Sequence, residues 1–253
     1  MRRKIIAGNW KMNKTVPEAV EFSRELKLKT IAFNKTDIII CPPYPALVPV
    51  YEIIKDSKVK LGAQNSHYEE KGAFTAEVST SMIETTGCSF VIIGHSERRQ
   101  YFAESNEIIN KKLKKVLSTK LLPIFCIGEI LEERKSGRTE QVVDTQIREG
   151  LNGISSEDMQ RITIAYEPVW AIGTGETATP QQAEEVHRYI RELIGKLYNA
   201  EIAERIRIQY GGSVKPANAE ELLKQENIDG ALIGGASLEL DTFLEIIKIS
   251  NQI

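Results

Sequence analysis

The sequence is poor in cysteine, and this scarcity excludes the kinds of site that cysteine builds. Its 253 residues contain three cysteines, Cys41, Cys88 and Cys126, which lie far apart and form no CxxC pair. An odd number with that spacing argues against both a disulfide framework and a cysteine zinc site. Because a chain without disulfides suits a reducing compartment, we expect a cytoplasmic protein.

Long apolar runs, charge of one sign and linker-like segments are also lacking. No apolar stretch approaches the roughly 18 residues of a membrane helix, and none near the start resembles a signal peptide. The net charge of −2 gives no field that would hold nucleic acid or an anionic membrane. Since 42% of the residues are hydrophobic and 27% charged, we expect one globular domain over residues 1–253 with a small-molecule partner.

Short apolar runs alternate with longer segments of helical period. Eight runs are predicted to be strands: 5–7, 37–41, 59–63, 90–94, 123–127, 162–166, 206–210 and 231–233. The helical segments between them include 17–28, 104–117, 180–198 and 238–249. This order predicts an α/β fold with a parallel sheet, and eight units in one chain favour a single-domain (β/α)8 barrel. An open doubly wound sheet is the alternative.

Glu167 stands at the end of a predicted strand. The apolar run stops at Tyr166, and Pro168 lacks the N–H that would continue the ladder. An apolar stretch over 169–172 follows and leads to Gly173 and Gly175, which predicts a flap with a rigid start and a permissive hinge. An ordinary surface loop is the alternative, because most loops carry no catalysis.

Polar residues and glycines follow several of the other predicted strands. They are Asn9 and Lys11 after the first, His95 after the fourth, Gly211, Gly212 and Ser213 after the seventh, and Gly234 and Gly235 after the eighth. Each alone has a structural explanation, such as a solvated lysine or a tight turn. In a barrel, however, the C-terminal strand ends meet at one face, so the coincidence predicts one site.

The residue types at this face predict proton transfer on a phosphorylated substrate. Glycine turns that offer backbone N–H groups, together with the Ser213 hydroxyl, favour a phosphate site. Glu167 as proton acceptor and His95 as hydrogen-bond donor, with Lys11 beside the developing oxyanion, favour proton abstraction next to a carbonyl. No metal or redox cofactor is required, because there is no HExxH motif and the other two histidines lie elsewhere.

Five segments of the chain resemble those of the triosephosphate isomerase family, in the same order and at the same spacing. They are Asn9-Trp10-Lys11-Met12, Gly94 to Arg99, Ala165 to Gly175, Tyr210 to Ser213, and Gly234 to Ser237. The resemblance implies a TIM barrel that interconverts dihydroxyacetone phosphate and D-glyceraldehyde 3-phosphate through an enediolate, without a cofactor.

The resemblance also implies a role for each site residue. Glu167 would shuttle the proton under a closing loop, His95 would polarise the carbonyl as a neutral imidazole, and Lys11 would favour the anionic intermediate. Asn9 would orient the same oxygens. The implied phosphate donors are Gly173, Ser213, Gly234 and Gly235. A helix that begins at Ser96 would keep His95 neutral through its dipole and bring Glu97 near Lys11. Cys126 resembles a family position near the active site, but we expect a buried structural thiol.

The loop from Gln64 to Glu77 is too long for a simple connection between strand and helix. In the family the corresponding loop docks into a second subunit, which implies a homodimer with Thr75 near the partner's site. Ala76 stands where the family usually has glycine. If that position needs a positive φ, we expect a strained loop tip.

Three other functions are compatible with parts of the sequence. The stretch from Gly173 to Ala178 fits GxGxxA, which suggests a dehydrogenase, but in a dinucleotide site these glycines directly follow the strand. A Schiff-base aldolase would need Lys11 as a buried neutral amine and gives Glu167 no role. A non-catalytic phosphate-binding protein of the same fold is the third possibility, since fold does not fix function.

Overall fold

The computed structural model describes residues 2–172 and 178–253, and in them eight parallel strands close into a barrel in sequence order. The strands are β1 (Lys4–Asn9), β2 (Thr36–Cys41), β3 (Val59–Ala63), β4 (Phe90–Ile93), β5 (Leu122–Ile127), β6 (Thr163–Tyr166), β7 (Arg207–Tyr210) and β8 (Gly230–Ile233). β1 pairs with both β2 and β8, which closes the sheet. The predicted (β/α)8 barrel is therefore confirmed, and the open doubly wound sheet is wrong.

The helices cover the outside of the barrel. They are α1 (Val16–Lys29), α2 (Leu47–Ile54), α3 (Thr80–Thr85), α4 (Ser96–Phe102), α5 (Asn106–Leu117), α6 (Leu131–Lys135), α7 (Thr139–Gly150), α8 (Ser156–Met159), α9 (Pro180–Leu197), α10 (Ala200–Arg205), α11 (Pro216–Leu223) and α12 (Leu240–Gln252). None of the helices in the described ranges has the length and apolar character that crossing a membrane requires.

Local capping fixes where the helices begin. The predicted helix 104–117 starts at Asn106, because the Ser105 side chain accepts the Ile108 N–H at 3.3 Å as an N-cap. The helix predicted over 180–198 begins as expected at Pro180. Thr179 and Gln182 cap it reciprocally, through N–H···O contacts of 3.0 and 3.1 Å.

Two apolar layers hold the barrel together, and alternate residues of each strand enter different layers. In β1, Ile5 and Ala7 join the cluster that fills the barrel interior, whereas Ile6 joins the cluster between strands and helices. Because most residues on both faces of the strands are buried, apart from positions such as Lys60 of β3, the strands read as largely apolar runs in the sequence.

The loop 64–77 contains the strained residue that the sequence predicted. Ala76 has a φ of +76°, the left-handed region that disfavours any residue with a Cβ. The surrounding loop protrudes, since residues 69–77 are all exposed. The expectation of a strained loop tip is confirmed.

Replacing Ala76 with glycine is expected to raise the free energy of unfolding by about 0.5–1 kcal/mol, because relief of the Cβ strain exceeds the added chain entropy of glycine. Urea denaturation at fixed protein concentration measures the change. Ala217→Gly in the exposed first turn of α11 is the matched control and is expected to have the opposite sign. A loss of stability in Ala76→Gly would contradict the argument.

Candidate active site

A cavity of about 260 Å³ opens at the C-terminal ends of the strands, and the sequence-predicted residues meet around it. It is lined by Asn9, Lys11, His95, Glu167, Ile172, Gly211, Gly212, Ser213, Val214, Lys215, Leu232, Ile233, Gly234, Gly235 and Ala236. Asn9 is the last residue of β1 rather than the first after it. Gly173 and Gly175 lie outside the described residues.

The turn after β4 orients the imidazole of His95. Gly94 has a φ of +75°, so the chain can turn sharply between the strand and α4. His95 is the N-cap of α4, and its Nδ1 accepts the backbone N–H of Glu97 at 3.2 Å. Because Nδ1 is an acceptor, the ring proton lies on Nε2, which points toward Glu167.

Glu167 follows β6 directly and is buried. Its Oε1 lies 2.9 Å from His95 Nε2, and its Oε2 accepts the Ser96 N–H at 2.9 Å. Gly211 on the next loop makes room for it, since a Cβ there would stand 2.8 Å from Glu167 Cγ. The Glu167 carboxylate is thus held by two donors that both belong to the start of α4.

The charge balance at Glu167 favours the carboxylate. Burial raises the pKa of Glu167, but the His95 ring, the Ser96 N–H and Lys11 together lower it more, so the net shift is downward. Burial lowers the pKa of His95, whereas the adjacent Glu167 carboxylate raises it, and the net shift in this arrangement is upward. If Glu167 moves away, burial, the Glu97 N–H on Nδ1 and Lys11 still favour the neutral ring, and the Glu97 carboxylate opposes them.

Lys11 has a backbone conformation that no sequence pattern predicts. Its φ is +52°, and its N–H donates to Asn9 Oδ1 at 3.1 Å. Gln64 Nε2 donates to the Lys11 carbonyl at 2.8 Å and to the Cys41 carbonyl at 2.8 Å. The Lys11 ammonium lies 2.6 Å from Glu97 Oε1, as the helix at Ser96 led us to expect.

Two further residues support the site, and no sequence pattern was strong enough to predict their roles. One is Gln64, the first residue of the long loop, which holds the Lys11 backbone. The other is Glu129, fully buried, which accepts from Tyr166 Oη at 3.1 Å and from Trp170 Nε1 at 2.9 Å. Trp170 follows Glu167 by three residues, so Glu129 anchors the start of the segment that follows Glu167.

Neither a disulfide nor a cluster of metal ligands is found at this site among the described residues. All three cysteines are buried free thiols, and Cys126 lies against Glu167 at the end of β5. Across the described ranges, no group of three or more His, Cys, Asp or Glu residues is placed to hold a metal ion.

The larger concavity, about 620 Å³, lies at the opposite end of the barrel. Its cations are mostly engaged in ion pairs, such as Arg2 with Asp229 at 2.6 Å and Arg207 with Asp37 at 2.6 Å. In barrels of this kind the catalytic residues lie at the C-terminal ends of the strands. We therefore infer that the ion pairs at the opposite end stabilise the fold.

Comparison with known proteins decides the family. The family model described as triosephosphate isomerase matches residues 4–250. A triosephosphate isomerase of Carboxydothermus hydrogenoformans is 54% identical over 248 residues, covering 98% of this chain and 99% of that protein. Those of Dictyoglomus turgidum and Endomicrobium trichonymphae are 50% and 52% identical, covering 98% and 99% of this chain and all of those proteins.

The chain belongs to the triosephosphate isomerase family. The resemblance that the five sequence segments indicated is therefore confirmed, and it extends over nearly the whole chain. Membership in the triosephosphate isomerase family also accounts for the barrel, whose C-terminal face carries the predicted residues.

Proposed function

We propose that this protein interconverts dihydroxyacetone phosphate and D-glyceraldehyde 3-phosphate, with Glu167 as the base that moves the proton between the two carbons. The observation that carries the proposal is the contact of Glu167 Oε1 with His95 Nε2 at 2.9 Å inside the cavity that Lys11 also lines. A buried carboxylate, an imidazole N–H donor and an ammonium group are the set that enediolate formation needs.

In the proposed reaction the Glu167 carboxylate leaves its two hydrogen-bond donors at the start of α4 and takes a proton from the substrate carbon. His95 Nε2–H then donates to the substrate carbonyl, and Lys11 stabilises the negative charge that develops there. Asn9 Oδ1 accepts the Lys11 N–H, so the NH2 group of the Asn9 side chain is free to donate to the substrate oxygens.

The glycine-rich turns are the proposed phosphate site. A Cβ at Gly235 would meet nothing within 4 Å, so its backbone is open on that side. Residues 235–237 form a short 3-10 helix, whose first N–H groups lack intrahelical partners. We assign the phosphate to Ser213, Gly234 and Gly235, and to Gly173 by the family resemblance.

Other activities fit the site less well. The ion pair with Glu97 stabilises the charged form of Lys11, whereas a Schiff-base aldolase needs this lysine as a neutral amine. For a dehydrogenase, the glycines of GxGxxA would have to open a helix, but α9 begins only at Pro180, after the N-cap Thr179. We propose that the enzyme needs no metal or redox cofactor and acts in the cytoplasm as one domain.

Solvent exchange tests the proposed reaction. Purified protein is incubated with dihydroxyacetone phosphate in D2O, and proton NMR follows the product and the deuterium next to the carbonyl. We expect the aldehyde phosphate to form with deuterium from solvent. Well-folded protein that binds the substrate without exchange would contradict the isomerase and favour a phosphate-binding protein.

Removing the Lys11 charge is expected to lower kcat/KM by about 10²-fold, with a rise in KM and a fall in kcat, because both substrate and enediolate are anionic. The measurement is steady-state kinetics of Lys11→Met. Lys248→Met, which removes an exposed lysine from α12, is the control and is expected to behave as wild type. Equal kcat/KM in Lys11→Met and wild type would contradict the role of Lys11.

We propose that two copies pair through the loop 64–77. Large apolar side chains are exposed on this loop and on segments near the site: Met12 (95%), Tyr101 (69%), Phe102 (64%), Met82 (53%) and Phe74 (42%). A monomer rarely leaves this much apolar surface in water. Thr75, at the exposed tip, would approach the partner's site.

Phe74→Glu is expected to shift the protein toward the mass of the single 28.4-kDa chain, because a charge would be buried in the apolar contact. Sedimentation equilibrium measures the shift. Leu28→Glu on α1, where the leucine is 56% exposed, is the control and is expected to leave the dimer intact. A monomeric wild-type protein would contradict the proposed pairing.

A further inference from the structure

Arg99 is a cation that forms no ion pair with a carboxylate among the described residues. Its guanidinium donates to three neutral oxygens: Nε to the Gly94 carbonyl at 2.9 Å, Nη1 to Asn106 Oδ1 at 2.6 Å, and Nη2 to the Cys126 carbonyl at 3.1 Å. The preceding arginine, Arg98, is instead paired with the carboxylate of Glu104. Arg99 is half-buried, and its three acceptors carry no charge, so the negative charge that balances it needs to be identified.

The partners of Arg99 place it directly behind the base. Gly94 precedes His95 in the chain, and the thiol of Cys126 lies against Glu167. Both contacts are backbone carbonyls at the C-terminal ends of β4 and β5, the two strands that precede the strand of Glu167. The guanidinium is thus fixed to the frame that holds His95 and Glu167.

We propose that Arg99 is a positioning residue that keeps the Glu167 carboxylate ionised by supplying the positive charge behind it. The inference rests on the proposed function, since it deepens the role of Glu167 as base. Arg99 does not touch the substrate cavity, so it acts through Glu167 and the turn that carries His95. Its compensating negative charge is the base itself.

The charge of Glu167 acts on Arg99, whereas the nearest groups that lower the pKa of Glu167 are His95, the Ser96 N–H and Lys11. Burial lowers the pKa of Arg99, while Cys126, Glu167 and Glu104 raise it. The other titratable groups facing the pair are His95 and Lys11 on the Glu167 side, and Glu149, which accepts from Asn106 Nδ2 at 2.8 Å, on the Arg99 side. Of these, Glu149 is separated from the guanidinium by the Asn106 amide, which bridges the two groups.

The test measures the ionisation of Glu167 without turnover. The protein is labelled with 13C at the glutamate carboxyl, and Glu167 is assigned by its loss in Glu167→Gln. Its chemical shift is followed from about pH 8 down to about pH 3, because the pKa of Glu167 is lowered from the usual value of a glutamate. Arg99→Gln is expected to raise the pKa of Glu167 by about one unit, and Arg99→Lys, which keeps the charge, to leave it near wild type. Because no turnover is involved, this result is independent of whether the isomerase activity is found.

A second variant keeps the test decisive if Arg99→Gln does not fold. Asn106→Asp places a carboxylate on Nη1 and neutralises the guanidinium, at a helix start that favours an acidic residue. The same upward shift is expected. Ser105→Asp adds a carboxylate at the same helix end without touching Arg99, and it is the matched control that should not shift Glu167.

Two outcomes would overturn the proposal. One is an unchanged Glu167 titration in folded Arg99→Gln or Asn106→Asp. The other is an equal shift in Arg99→Lys or Ser105→Asp, because that would show loss of packing or a general effect of charge in place of the specific cation.

Discussion

Glu167→Gln is expected to lower kcat by about 10³-fold or more and to abolish deuterium incorporation, while the barrel stays folded. The amide cannot accept the proton from the substrate carbon, so general-base catalysis is lost. Its carbonyl oxygen can still accept the His95 Nε2–H that lies 2.9 Å from Glu167 Oε1. The glycine turns that are proposed to hold the phosphate are unchanged, so the effect is expected in kcat more than in KM.

The comparison needs a control that separates lost chemistry from lost structure. Glu245→Gln changes an exposed glutamate of α12 in the same way and is expected to retain full activity. Near-UV circular dichroism reports whether each variant keeps its packed core. Deuterium exchange at the wild-type rate in folded Glu167→Gln would assign the base to another residue and refute the proposed mechanism.

The fold was predictable because its strands are buried on both faces. All eight apolar runs are strands in the structure, and the shifts are confined to their ends, as with β1, which extends from Lys4 to Asn9. Short helices such as α8 (Ser156–Met159) are harder to predict, because four residues cannot show a helical period. Helix α12 starts two residues later than predicted because residues 235–237 already form a separate 3-10 turn.

The candidate site was predictable where a polar residue comes shortly after a predicted strand. Glu167 directly follows β6 and His95 lies two residues after β4, and the barrel brings their side chains to 2.9 Å. Supporting contacts give no such sequence signal. Gln64 donates to the Lys11 carbonyl, and Arg99 donates to the Cys126 carbonyl, between segments that are far apart in the chain. Such pairings depend on side-chain reach in three dimensions, which no sequence period encodes.

His187 is buried without charge compensation, and this makes the protein sensitive to acid. It lies on α9 behind the strand of Glu167, with its ring edge on Tyr166 at 5.7 Å between centroids. Its Nδ1 is 3.3 Å from the Asn227 carbonyl. Burial lowers the pKa of His187 to about 3; the Asn227 carbonyl opposes this shift, and the nearby cations Arg191 and Lys4 reinforce it.

The sign of the pH dependence follows from where the proton binds. In the unfolded chain a histidine titrates near pH 6.5. Between about pH 6.5 and 3, His187 is therefore protonated in the unfolded state and neutral in the folded state. The free energy of unfolding therefore falls as the pH falls through this window, and it is unaffected by His187 above it. The loss is about 3 kcal/mol at about pH 4.5 and about 4 kcal/mol at about pH 3.

His187→Gln is expected to remove this acid sensitivity. Its free energy of unfolding is lower than that of wild type at neutral pH, because the repacked amide fits the apolar site less well. The difference between the two proteins should shrink by about 3 kcal/mol between about pH 7 and pH 4.5, as measured by urea denaturation at fixed protein concentration. His67→Gln, in the loop 64–77 outside the α9 packing, is expected to keep the wild-type slope. Parallel pH profiles for wild type and His187→Gln would show that His187 takes up its proton in the folded barrel, which contradicts its lowered pKa.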